Sequence, residues 1–325
     1  MTAASASALR PAPEKGETIA AAVVALTLLV LALNGRFEAE WDVGIHLVYS
    51  ALAAVAVVAM AAGSPRTGER PAGWQSILFI AAFVLALFAL GNLADVLGAD
   101  DPPFGASATV VWIGLLLVAL MAWFATSFNS GISTLLYAVT LAVVILAFID
   151  WVFDPEKVDT FRWILLLIAA GFFAVGAMRH SSDPHHATGF VNTAGLALIG
   201  LAFTFVGNLI VASPDAFGGG SPDAGVGWGW ELAVLVGGAA LVAYSVTAGT
   251  AGPGYLGAAN LGLFAILSFG PGEDGPSLIG WPLILILLTA GLFVLGRGSG
   301  GSGTGVTARP APDAGGTPAA APPGS

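Results

Sequence analysis

Four polar residues recur at a fixed step in an otherwise apolar sequence. Asn34, Asn92, Asp150 and Asn208 each stand 58 residues from the next. Two share a tripeptide, Gly91-Asn92-Leu93 and Gly207-Asn208-Leu209, and a fifth step lands on Ile266. Such amides have two readings. At the end of a helix, Asn beside Gly is a good left-handed cap. Held at one depth in a membrane, the same side chains form an outer polar ring that faces a shared vestibule and meets a small solute. Asp150 fits capping less well, because a carboxylate at a helix C-terminus opposes the macrodipole. An ionisable group inside a membrane marks a functional position.

The second set with possible chemistry is His180-Ser-Ser-Asp-Pro-His-His. His180, Asp183, His185 and His186 are types that bind Zn²⁺ or another divalent metal. Their spacing matches no helical His pair beside Glu, so they are weak candidates and a polar loop is expected. His46 is read as interfacial, within reach of Asp42 one turn earlier. The chain has no cysteine, which excludes disulfides, thiolate nucleophiles and Cys-ligated clusters. No nucleophile elbow, Walker loop or helical Glu-x-x-His site is present, and no Lys lies within an apolar stretch. No enzyme and no cofactor are expected.

Aromatic residues form a third series: Tyr49, Trp112, Trp163, Trp230 and Trp281. Their amphipathic rings favour the headgroup level, so an interfacial belt is expected.

These residues need elements to hold them, and the composition names the kind. Of 325 residues, 57% are hydrophobic and only 9% charged, with mean hydropathy +0.88. A soluble domain carries about 25% charge. The expectation is an all-α, polytopic transmembrane bundle. Ten apolar stretches are read as spans: 18–34, 44–62, 75–97, 106–127, 131–149, 160–178, 190–211, 229–247, 254–270 and 279–296. Glycines and Pro253 make the ninth the weakest. Residues 1–17 form a polar N-terminal segment, and 297–325 form a Gly/Ser/Pro/Ala-rich tail with the composition of disorder. The first stretch lacks the short basic start and cleavage site of a secretory signal and is read as a retained helix.

The 58-residue step suggests five tandem helical hairpins, each returning the chain to the side where it began. With the N-terminus cytoplasmic, seven basic residues fall inside and three outside, which favours both termini in the cytoplasm. Fifteen of 20 acids then lie at the outer face. The net charge of −10 argues against nucleic-acid binding.

Asn192 and Asn260 are the buried amide candidates, placed to bond across helices. Small pairs such as Ala233/Gly237 permit close helix approach. The expectation is a non-catalytic component of the cytoplasmic membrane, structural, accessory or partner-binding. Its partners are the lipid bilayer and another membrane or envelope protein. The alternative is a channel or facilitator for a small or cationic solute.

Overall fold

The computed structural model describes residues 13–37, 40–66, 71–99, 104–155, 157–211 and 228–268, without the side chains of 206–211, 228, 266 and 268. All regular structure among them is helical. After a single 3-10 turn, Pro13–Lys15, come α1 (Gly16–Phe37), α2 (Val43–Ala62), α3 (Gly73–Val96), α4 (Ser107–Phe128) and α5 (Gly131–Phe153). Then follow α6 (Val158–Arg179), α7 (Pro184–Val211), α8 (Trp228–Ala248) and α9 (Ala251–Ser268).

Eight of these helices are long and apolar enough to cross a membrane. The exception is α9, whose Gly252, Pro253, Gly254, Gly257 and Gly262 dilute its apolar content. Its Pro253 sits in the first turn, where the missing N–H costs no helical bond, and the helix runs on unbroken. The tenth expected span, 279–296, and the tail 297–325 lie outside the described residues. On α2, Ile45, Val48, Leu52 and Val55 are each more than half exposed and share one face at helical spacing. Stripes of this kind need hydrocarbon around them. The protein is a multi-pass integral membrane protein.

The odd helices end where Asn34 and Asn92 stand. This end of the bundle is called the asparagine end, and the opposite one, carrying the α6–α7 loop, the histidine end. The most extensive contacts join α2 with α3, α4 with α5, α6 with α7 and α8 with α9. All four pairs turn at the histidine end. The pairing expected from the 58-residue step, each odd helix with the even one after it, packs less closely. The α4–α5 and α8–α9 turns explain the first part: Asn129 is in the left-handed conformation, φ 51°, and Gly249 likewise, φ 64°, so two-residue links reverse the chain. The longer α2–α3 link is closed by Gln75, which donates to the Pro65 carbonyl at 2.8 Å and accepts from the Ala72 amide at 2.8 Å. At the asparagine end, Trp41 and Phe104 line the space between the helices instead.

Successive odd helices also touch, α1 with α3, α3 with α5, α5 with α7 and α7 with α9. Two large cores result, and α5 serves both. Its first half (Ile132, Leu136, Tyr137) joins a cluster built around Phe79, Phe124 and Phe128 of α3 and α4. Its second half (Ala142, Ile145, Leu146) joins a cluster built around Leu201, Val234, Leu241 and Phe264 of α7, α8 and α9. In the second core, Gly257 and Gly238 bring α9 and α8 together: a methyl on Gly257 would fall 2.7 Å from the Gly238 carbonyl. Such close approach suits a bilayer, where packing and interhelical bonds, not apolar burial, hold helices together.

Candidate polar pocket at the asparagine end

The pocket is built from α1, α2 and α3. Asn34 and Asn92 are not caps: each sits inside its helix with its amide turned sideways. The Asn34 NH2 donates back to the Val30 carbonyl at 3.0 Å, which fixes its Oδ1 outward toward α2 and α3. The Asn92 NH2 donates to that Oδ1 at 3.3 Å and to Ser50 Oγ at 3.0 Å. Ser50, fully buried, passes its own proton to the His46 carbonyl at 2.7 Å. Three helices are thereby tied through side chains alone.

His46 completes the group. It is buried, and its side chain does not pair with Asp42, whose carboxylate instead accepts from the Gly44 amide at 2.7 Å as the cap of α2. The Nε2 of His46 faces the Phe37 carbonyl at 3.3 Å. Its Nδ1 lies 2.7 Å from the Tyr49 hydroxyl and 3.3 Å from Asn34 Oδ1. Trp41 roofs this group, stacked on Phe37 at 4.4 Å between ring centroids and tilted against His46 at 5.9 Å. The cavity beside these residues has a volume of about 390 Å³, and its wall includes Trp41, Phe88, Phe104 and Asp95.

The other members of the expected ring lie elsewhere. Asp150 is in the last turn of α5 and accepts from the hydroxyl of Ser107, the first residue of α4. It does not line the Asn34–Asn92 cavity. Asn208 falls on the last turns of α7, and its side chain lies outside the described residues. The left-handed polar caps that the asparagine pattern suggested exist at other positions, Asn129 and Asp154.

The aromatic series divides. Tyr49 and Trp112 are half-buried, Tyr49 on His46 and Trp112 against the small core of Ala94, Ile113 and Leu117. Trp230 packs on Phe205 at 5.8 Å and Trp163 at 4.7 Å, and Trp163 alone of the four is mostly exposed. Trp281 is outside the described residues. Tyr49, Trp112 and Trp230 are thus each partly buried against neighbours within the bundle.

At the same end of α6 to α8 stands Arg162. Its guanidinium lies over the Phe205 ring, 3.8 Å from the centroid. It donates to Asp159 at 2.6 Å, to the Thr204 hydroxyl at 3.2 Å and to the Thr204 carbonyl at 3.4 Å.

At the histidine end the four metal candidates disperse. His180 meets the Tyr244 hydroxyl at 3.2 Å. His186 Nδ1 meets the Thr134 hydroxyl, and its Nε2 lies 3.4 Å from Asp183. His185 turns into a cavity of about 660 Å³ with Thr188, Asn192 and Thr250. Among the described residues no three His, Asp or Glu side chains converge as metal ligands. Asn260, fully buried, donates from α9 to the Gly195 carbonyl of α7 at 3.2 Å, while its Oδ1 has no hydrogen-bond partner among the described residues. The Asn192 amide packs against Gly252, and its Oδ1 has no hydrogen-bond partner among the described residues.

Sequence reasoning missed Trp41, Ser50 and Phe104. Ser50 carried a signal, lying one helical turn beyond His46. Trp41 and Phe104 carried none, since both belong to links between helices. No protein-family model, no curated protein and no solved structure matches this chain.

Proposed function

We propose that this membrane protein is non-catalytic and binds a small solute in the asparagine-end pocket, as a facilitator or channel component. One observation carries the reading. Asn34 and Asn92, on different helices and 58 residues apart, meet at 3.3 Å in the wall of one cavity. Polar groups within membrane helices are expensive, and where they gather they mark substrate paths. The pocket lies at the outer face if both termini are cytoplasmic, which the distribution of basic residues favours. The repeated contacts between successive odd helices support a tandem arrangement of hairpins.

The test is solute entry into liposomes carrying the purified full chain, measured by light scattering with small neutral and cationic solutes. At least one solute should enter faster than into protein-free liposomes, and N92L should slow it. Equal rates for every solute would end the reading. The accessory role remains the second reading, favoured by α6, the least enclosed of the eight candidate spans with 17% of its apolar window buried. A stoichiometric partner that co-purifies in mild detergent and protects α6 from labelling would favour it.

A further inference from the structure

We propose that the asparagine-end pocket takes a small organic cation, an alkylammonium or guanidinium head. This rests on the solute-binding reading and names its class. Three aromatic residues, Trp41, Phe88 and Phe104, line the cavity together with the Asp95 carboxylate. A cation within about 6 Å of an aromatic face is attracted by the ring quadrupole. The same faces and the carboxylate repel an anion. No Lys or Arg is among the lining residues. The volume, about 390 Å³, is at the small end for ligand pockets and suits a head group with few carbons.

The second half of the molecule shows how this chain holds such a group. Arg162 stands 116 residues after His46, two of the 58-residue steps that separate Asn34 from Asn92. Both open an even helix at the asparagine end, His46 on α2 and Arg162 on α6. The Arg162 guanidinium is held by an aromatic face, a carboxylate and a threonine. The first half presents aromatic faces, a carboxylate and amides, and has an imidazole where the arginine would be.

The test uses the purified full chain in detergent, titrated with choline and with its uncharged isostere 3,3-dimethylbutan-1-ol, followed by calorimetry and tryptophan fluorescence. Choline should bind saturably and about tenfold or more tighter than the isostere. D95N and W41L should each weaken choline about tenfold while thermal unfolding stays cooperative. If the isostere binds as well as choline, the cation class is wrong and the solute-binding reading stands. If neither binds and no solute enters liposomes, both fail. If choline binds and neither variant changes it, the cation sits elsewhere and the proposal is overturned.

Discussion

The two halves of the bundle treat positive charge and close packing differently. The first half, α1 to α4, is held by large rings: Phe79 meets Phe124 at 4.9 Å and Phe128 at 5.3 Å. At its asparagine end Trp41 and Phe104 line a polar cavity. The second half, α6 to α9, is held by glycine contacts such as Gly257 on Gly238, and by Asn260. At its asparagine end Arg162 lies over Phe205 and donates to Asp159 and Thr204. Bulky side chains keep helix ends apart and leave room for a ligand. Small ones bring backbones together, as Gly257 does against Gly238.

The comparison breaks first in the cores. F124A removes a fully buried ring from the first half and should lower unfolding stability by ~3–5 kcal/mol. G257V drives a side chain into the Gly238 carbonyl and should cost ~1–3 kcal/mol in the second half. Both are read by unfolding in mixed micelles, and equal tolerance of G257V and an exposed control such as Gly262→Val would refute the glycine argument. Next, H46R gives the first half its own cation. Choline binding should fall more than about tenfold, since like charge excludes it. Retained binding would show that the two positions are not equivalent. R162A removes the guanidinium from Phe205 and Asp159 and should cost ~1–2 kcal/mol, because Asp159 is two-thirds exposed. The smallest effect is N260L, at ~0.6 kcal/mol, the usual worth of an interhelical bond in a bilayer. A loss several times larger would make Asn260 a keystone of α7–α9 packing.

Much of this was legible beforehand because lipid imposes a simple rule. Backbone groups must be satisfied within each segment, so long apolar runs become helices, and nine of the expected spans coincide with helices. Their positions follow from hydropathy alone. The meeting of Asn34 with Asn92 was half legible. The 58-residue step placed both at one end, but capping and convergence share the same spacing. Only the direction of the amide distinguishes them, and the Val30 carbonyl sets it. Asp150 shows the limit: it keeps the step yet turns to Ser107, because the first turn of α4 offers a hydroxyl there.

The sequence by itself determined the solvent of this protein and the depth of its polar residues, because hydropathy and helical rise are local properties. The tertiary structure decided which polar residues share a cavity, that Trp41 and Phe104 wall it, and that Arg162 folds onto Phe205. Those outcomes depend on helix rotation and on loop side chains. Rotation is set by contacts between residues far apart in the chain, such as His46 with Asn34 and Asn92 with Ser50, which no periodicity encodes.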